Sequence, residues 1–213
     1  MSRRLLLFIA FTVTSVFGNT QTIIIGKQVW STKNLDVSSY KNGDQIPEAK
    51  TKEEWIAFSK AMEGAWCYYE NDKKNGKKYG KLYNCYAVND SRGLAPEGYH
   101  IPSDDEWMTL ANYLGGLEKA GVKMKSKEGW SNNSNGTNSS GFSALPGGFR
   151  WWFGDFQEIG NTCNWWSSTE DSSYEETGAV NQAFQYGINE TGGKLYRNSI
   201  DRSCGYSVRY IKD

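Results

Sequence analysis

The sequence predicts an α+β fold in which the helices precede most of the strands. Segments with apolar residues at helical spacing lie before residue 117, whereas four stretches rich in β-branched and aromatic residues lie near the end. A connection dominated by Asn, Ser and Gly separates the two groups. Helices and strands segregated in this way are typical of α+β proteins and not of alternating α/β folds.

The first residues have the pattern of a secretory signal. Met1–Arg4 is basic, Leu5–Phe17 is mainly apolar, and small residues precede a cleavage position before Asn19. The apolar run is shorter than the roughly 20 residues that span a bilayer. A buried N-terminal strand or helix is the alternative. We expect residues 1–18 to be a signal peptide and residues 19–213 to form a single secreted domain.

Charge and hydropathy argue against a nucleic-acid partner and a membrane span, respectively. The chain has 24 Lys and Arg residues against 24 Asp and Glu residues. Without residues 1–18, which hold Arg3, Arg4 and no acid, 22 basic residues face 24 acidic ones and the net charge is −2. Because nucleic-acid binding needs a basic face, we expect no nucleic-acid partner. No second long apolar stretch follows, so no membrane span is expected in the mature chain.

Two short strands and a capped helix are the first elements expected. Ile23–Ile25 and Gln28–Ser31 are typical of strands joined by a turn. Thr51 and Glu54 have the spacing of a capping box, in which each side chain accepts a hydrogen bond from the other residue's backbone N–H. Apolar residues then recur at helical spacing until Gly64, at Trp55, Phe58 and Met62.

The next segments predict a strand, a turn and a second helix. Ala65–Tyr69 has strand character, and Glu70–Lys78 is a charged segment typical of a turn. Lys81–Asn89 is expected to be helical because three apolar residues share one face, Leu82, Cys85 and Tyr86.

A second capping box begins the best-defined helix. Ser103 and Glu106 form the box, and Asp104 and Asp105 occupy the first turn, where the helix dipole favours negative charge. One apolar stripe follows, made by Trp107, Leu110, Ala111 and Leu114, before Gly115-Gly116 ends the helix. The acidic triplet therefore has a structural explanation, which we favour over a metal site or a catalytic pair.

The remaining chain predicts a long loop followed by strands. Ser126–Gly141 is typical of an exposed loop, and Gly147-Gly148 of a turn. Asn189–Gly193 is expected to join two strands as a hairpin. The predicted late strands are Trp165–Thr169, Val180–Tyr186, Lys194–Arg197 and Tyr206–Ile211.

The four cysteines, Cys67, Cys85, Cys163 and Cys204, are expected to form disulfides if the chain is secreted. Four cysteines allow three pairings, which the sequence alone does not separate. We favour Cys67–Cys85 and Cys163–Cys204, with free buried thiols as the alternative. No Cys-x-x-Cys motif is present, so a zinc site is not expected.

Catalytic motifs are weak in this sequence. The single histidine, His100, has no motif partner that would make a nucleophilic system. Glu175 and Glu176, with Glu170 and Asp171 nearby, are typical of a solvated acidic loop, and nothing places them as a glycosidase pair. We therefore assign no catalytic residue and expect no cofactor.

The tryptophans provide the functional hypothesis. The chain has nine of them, with doublets at Trp151-Trp152 and Trp165-Trp166. Neighbouring side chains of a strand point to opposite faces, so one member of each doublet can be exposed and stack on a sugar ring. Burial is the alternative, and we expect it for Trp30, Trp66, Trp107 and Trp166. The predicted ligand-binding surface consists of Trp151, Trp152, Phe153, Asp155, Trp165 and Asn181.

Several blocks of the chain resemble one known family. They are GYHIPSDDEWMTLANYLGG (Gly98–Gly116), GFSALPGGFR (Gly141–Arg150), WWSSTE (Trp165–Glu170) and GYSVRYIKD (Gly205–Asp213). In this order they resemble the Fibrobacter succinogenes major paralogous domain, a bacterial secreted family, and Tyr79–Trp107 is also similar to the formylglycine-generating-enzyme pattern. The resemblance implies a C-type-lectin-like fold, with small twisted antiparallel sheets, two main flanking helices, paired terminal strands and a long irregular region that carries binding.

The same resemblance implies an exported binding domain at or outside the bacterial surface. A polysaccharide or a surface protein is the expected partner. The alternatives are an oxidoreductase of the formylglycine-generating type, for which Cys163 and Cys204 are the candidate pair, and a structural component of a surface complex. Two departures are present: Tyr210 stands where the family commonly has Cys, and the Glu-Pro-Asn and Trp-Asn-Asp calcium motifs are absent. Calcium is therefore not assigned.

Overall fold

The structure is a computed structural model that describes residues 21–173 and 181–213. The signal peptide predicted at residues 1–18 lies outside the described residues, as do Glu175 and Glu176. Among the described residues, no helix is both long and apolar enough to cross a bilayer.

The described residues form a mixed α+β structure, as the sequence predicts. The helices, in chain order, are α1 (Lys52–Ala61), α2 (Lys73–Tyr79), α3 (Cys85–Val88), α4 (Asp104–Tyr113) and α5 (Leu117–Met124). The strands are β1 (Thr22–Ile25), β2 (Gln28–Ser31), β3 (Trp66–Cys67), β4 (Leu82–Tyr83), β5 (Tyr99–His100), β6 (Gly147–Arg150), β7 (Phe156–Ile159), β8 (Thr162–Asp171), β9 (Gln182–Asn189), β10 (Tyr196–Asp201) and β11 (Ile211–Lys212).

These strands form three small sheets. The first has the order β1-β2-β11-β5, so the last strand lies between one of the first strands and β5. The second has the order β10-β9-β8-β6-β7, and the third consists of β3 and β4. The pairings are antiparallel except that β6 runs parallel to β8 through one bridge, Gly148 with Cys163. Because β11, the last strand, pairs with β2, one of the first, both ends of the described chain lie in one sheet. This pairing holds the early helices and the late strands in a single packed structure.

Both predicted capping boxes are present. The Thr51 hydroxyl accepts from the Glu54 N–H at 3.1 Å, and a Glu54 carboxylate oxygen accepts from the Thr51 N–H at 3.1 Å. Ser103 and Glu106 make the same exchange at 3.3 and 2.8 Å. These caps satisfy backbone donors that have no partner inside the helix. The predicted starts of α1 and α4 are therefore confirmed.

Several local predictions differ from the structure. Gly147-Gly148, expected as a turn, begins strand β6, and only Ile211 of the strand expected over Tyr206–Ile211 lies in a strand, β11. The charged segment expected as a turn forms α2, which the Asp72 carboxylate caps by accepting from the Lys74 N–H at 2.8 Å. A helix is expected over Lys81–Asn89, but only α3 is helical there. The residues before α3 form β4, which pairs with β3. Helix α5 was not predicted, since Gly121 interrupts its pattern. A Cβ at Gly121 would come within 2.7 Å of the Gly193 carbonyl oxygen, so packing requires glycine there.

The described residues pack into three clusters of buried side chains, which make up the core. Trp66 and Trp166 lie in the first and Trp30 and Trp107 in the second, so the expected burial of these four tryptophans is confirmed. The third cluster surrounds Trp55 beneath α1.

The disulfide prediction is corrected by the structure, in which all four cysteines are buried free thiols. Cys67 packs in the third cluster and Cys85 in the first, while Cys163 is in the second and Cys204 in the first. The members of each expected pair therefore face different parts of the core. Burial raises the pKa of Cys67, Cys85 and Cys204 to about 12 and also raises that of Cys163, which makes these thiols poor nucleophiles.

His100 links the last strand region to helix α4. Its ring nitrogens lie 2.7 Å from Asp213 Oδ1 and 2.8 Å from Glu106 Oε1. Partial burial alone would lower the pKa of His100, but the hydrogen bonds and charges of these two carboxylates outweigh it and raise that pKa above its usual value. The protonated ring donates to both carboxylates, so this link is strongest when His100 is charged.

We expect His100→Gln to remove a pH-dependent part of the stability. Because the folded pKa is raised, the contribution is fully present below about pH 6.5, the usual histidine pKa, and is lost as pH rises through the folded pKa. Urea unfolding at pH 6 and pH 9 measures it. The difference in unfolding free energy between wild type and variant should be larger at pH 6. An equal difference at both pH values would contradict this assignment.

Candidate binding surface at the aromatic tip

Four of the six predicted ligand-binding residues lie together in the turn between β6 and β7. We call residues 151–155 the aromatic tip. The turn is closed by the Trp151 N–H, which donates to the Asp155 carbonyl at 2.8 Å, and by the Gly154 N–H, which donates to the Trp151 carbonyl at 2.8 Å. Gly154 has a φ of +95°, and a Cβ there would lie 2.6 Å from Lys52 Cγ. The turn therefore requires glycine at this position.

Arg150 holds the aromatic tip against the start of α1. Its side chain is 1% exposed, and its Nε donates to the Gly154 carbonyl at 2.9 Å. Its other two nitrogens donate to the carbonyls of Ala49 at 3.1 Å and Thr51 at 2.8 Å. The guanidinium also lies 4.8 Å from the Trp55 ring centre. A buried guanidinium with three carbonyl partners fixes the tip to a rigid element. The sequence offered no motif for this role.

The three aromatic side chains of the tip differ in exposure. Trp152 is 53% exposed, whereas Trp151 is partly buried and packs edge-on against Phe149 at 4.9 Å between ring centres. Phe153 lies between them, stacked on Trp151 at 6.1 Å and edge-on to Trp152 at 5.1 Å. Trp151 and Phe153 thus support Trp152, which offers a large accessible ring.

Charged groups border these rings. Lys52 Nζ lies 2.6 Å from Asp155 Oδ1 and 5.7 Å from the centre of the Phe153 ring. Both side chains are about half exposed, so this ion pair contributes only about 0–1 kcal/mol to stability. Its importance is geometric, since it places donors and acceptors at the edge of an aromatic surface. Lys52 is missing from the predicted surface because it is distant in sequence.

Trp165 does not belong to this surface. It is fully buried in the second cluster, and its Nε1 donates to Asn34 Oδ1 at 2.9 Å. The expectation that one member of each doublet is exposed is wrong for Trp165-Trp166. Strand β8 is packed on both faces, so the two rings enter different core clusters. Alternation along a strand predicts an exposed face only when one side of the sheet meets solvent.

Asn181 also lies away from the tip. Its Nδ2 donates to the Tyr86 hydroxyl at 2.6 Å, and its carbonyl accepts from the Arg202 N–H at 3.0 Å. These contacts bind the start of β9 to the region around α3. Asn181 is therefore part of the packing next to α3 and not of the aromatic tip.

The chemistry available at the tip is stacking and hydrogen bonding. Within residues 21–173 and 181–213, no group of three His, Cys, Asp or Glu side chains could hold a metal ion. The cysteines are buried in the core, and His100 is paired with two carboxylates. The groups that the tip itself presents are the rings of Trp151, Trp152 and Phe153 and the Asp155 carboxylate.

The comparisons with known proteins give one match. A family model, the Fibrobacter succinogenes major domain, matches residues 23–212. The matched region begins in β1, ends in β11 and includes the aromatic tip. No curated protein and no solved structure matches the chain.

Proposed function

Because the chain belongs to the Fibrobacter succinogenes major domain family, we propose that it is an exported, non-catalytic binding domain with a C-type-lectin-like fold. The pairing of β11 with β2, the small sheets and the capped helices α1 and α4 support this fold. The basic and apolar start of the sequence supports export to the medium or the cell surface.

We propose that the aromatic tip binds a polysaccharide. The observation that carries this proposal is the exposure of Trp152 on a turn fixed by the buried Arg150. Sugar rings present C–H faces that pack on an aromatic ring and hydroxyl edges that hydrogen-bond to charged groups. Trp152 supplies the ring, and Lys52 with Asp155 supplies the bordering polar groups. A preformed site binds with little loss of conformational entropy, because its side chains are already held.

An oxidoreductase of the formylglycine-generating type is less well supported. Its candidate pair, Cys163 and Cys204, lies in two different core clusters. Burial raises the pKa of both thiols, whereas redox-active thiols need a lowered pKa.

We expect Trp152→Ala to weaken polysaccharide binding about ten-fold without lowering stability. One stacked ring is worth up to about 1.5 kcal/mol, and about 1.4 kcal/mol corresponds to a ten-fold change in affinity. The measurement is co-sedimentation of the mature chain with cellulose, xylan, mannan, chitin and peptidoglycan, with and without calcium. Thermal unfolding checks the fold.

Tyr113→Ala is the matched control, because Tyr113 is an exposed aromatic residue on α4, 66% exposed. This variant should bind as the wild type does. Failure of the wild type to bind any of these polysaccharides would contradict the proposal, as would equal loss of binding in the two variants.

A further inference from the structure

A concave site lies apart from the aromatic tip. The cavity has a volume of about 570 Å³ and shares no lining residue with the tip. The segment after β2, the end of α2 and the loops that follow α5 surround it. This volume is within the usual range for small-ligand sites, roughly 300–1,000 Å³.

The cavity is strongly basic although the whole chain is neutral. Its charged lining residues are Lys33, Lys77, Lys78, Lys127 and Arg209 against Asp36 and Glu128. Asp36 is already neutralised by Lys81, whose Nζ lies 2.6 Å from its carboxylate. In the part of the chain that the structure describes, none of the four lining lysines forms an ion pair. Four lysines against the one remaining acid, Glu128, leave the exposed rim with a net positive charge.

Arg209 contributes a buried positive charge to the same cavity. Its side chain is 1% exposed. Nε donates to Asn34 Oδ1 at 2.7 Å, and Nη1 donates to the carbonyls of Ser31 at 2.6 Å and Phe142 at 3.1 Å. Nη2 donates to the Ser143 carbonyl at 3.3 Å. Four of the five guanidinium N–H groups are used, and one on Nη2 has no acceptor among the described residues.

No carboxylate of the described residues contacts Arg209, since all its hydrogen-bond acceptors are uncharged oxygens. Burial accordingly lowers the pKa of Arg209. A buried cation without a countercharge is costly, and a bound anion would supply the missing charge. The planar guanidinium suits a carboxylate, with which it forms strong charge-assisted hydrogen bonds.

We propose that this cavity binds a sugar acid, with its carboxylate directed at Arg209 and its charge further balanced by the lysine rim. Thr32 and Asn138 also line the cavity, and each keeps hydrogen-bonding capacity for a ligand hydroxyl: Thr32 Oγ1 donates to the Gln21 carbonyl and can still accept, and Asn138 Nδ2 uses one N–H on the Ser143 hydroxyl and has a second. The volume accommodates a ligand of one or two sugar units. The proposal does not depend on the aromatic tip, because the cavity shares no residue with it. The ligand of the cavity is acidic, whereas a ligand of the tip can be uncharged.

Calorimetric titration of the mature chain tests this inference, with digalacturonate as the probe. We expect saturable binding that weakens as salt is raised, because the rim charges are exposed. The neutral disaccharide lactose should give no binding, and inorganic phosphate should bind more weakly than digalacturonate. Absence of digalacturonate binding, or phosphate binding of equal or greater strength, would overturn the assignment.

The double variant Lys33→Gln, Lys127→Gln should reduce digalacturonate affinity roughly three-fold to ten-fold, since each exposed lysine contributes about as much as a surface ion pair. Lys60→Gln, Lys212→Gln is the control, because both lysines are exposed, lie outside the cavity and change the net charge equally. Equal affinity in the two double variants would overturn the inference. All four residues are on the surface, so neither variant should unfold.

Discussion

Trp107→Ala should lower the free energy of unfolding by about 3–5 kcal/mol, as expected for truncation of a fully buried tryptophan. Trp107 has no exposed surface and contacts four aromatic rings. Its ring centre lies 4.8 Å from that of Trp30 in β2 and 5.0 Å from that of Tyr186 in β9, on which it stacks. Phe142 and Trp165 lie 5.9 and 5.8 Å away. Helix α4 thus joins the four-stranded and five-stranded sheets through this side chain.

The control for this prediction is Trp107→Phe. The Nε1–H of Trp107 is buried and has no acceptor among the described residues. Phenylalanine removes that unpaired donor and keeps most of the aromatic contact, so its cost should be much smaller than that of alanine. Urea unfolding followed by circular dichroism measures both. If Trp107→Ala cost less than about 1 kcal/mol, the second core cluster would not be the main support of the fold.

Asn34→Ala should destabilise the chain by about 2–6 kcal/mol. The Asn34 side chain makes four hydrogen bonds and thereby joins distant segments. Oδ1 accepts from Trp165 Nε1 at 2.9 Å and from Arg209 Nε at 2.7 Å. Nδ2 donates to the Tyr79 carbonyl at 2.8 Å and to the Ser207 hydroxyl at 3.1 Å. Alanine leaves two buried donors without an acceptor, at about 1–3 kcal/mol each.

Asn34→Asp separates the acceptor role from the donor role. Aspartate keeps an acceptor for Trp165 and Arg209 and gives Arg209 a carboxylate partner, but it cannot donate to Tyr79. Above the pH at which this carboxyl ionises, the aspartate variant should be more stable than the alanine variant. The advantage should disappear as pH falls through the pKa of the new carboxyl, which Arg209 holds low. Urea unfolding at several pH values tests this. Equal stability of the two variants at neutral pH would contradict the role assigned to Asn34.

The features that the sequence predicted correctly depend on nearby residues. The capping boxes at Thr51 and Ser103 are local patterns with a defined hydrogen-bond geometry. The exposure of Trp152 was expected only as one of two outcomes, and from alternation along a strand, whereas Trp151 and Trp152 lie in the turn between β6 and β7, where that alternation does not apply.

The features that the sequence did not predict depend on distant contacts. Burial of Trp165 results from the packing of both faces of β8, which a strand pattern does not specify. An even number of cysteines indicates that bridges can exist but not which thiols meet, and the structure separates the members of both expected pairs. The basic cavity combines Lys33, Lys127 and Arg209, which only the fold brings together.

The indole N–H signals of the tryptophans, recorded in ¹H–¹⁵N NMR spectra, report directly on whether a polysaccharide contacts Trp152. We would titrate the mature chain with cellohexaose, xylohexaose and mannohexaose. We expect at least one of these to shift the Trp152 signal, while the signals of the buried Trp107, Trp165 and Trp166 stay in place. No shift at Trp152 with any of the three, or shifts confined to the buried tryptophans, would contradict a polysaccharide site at the aromatic tip.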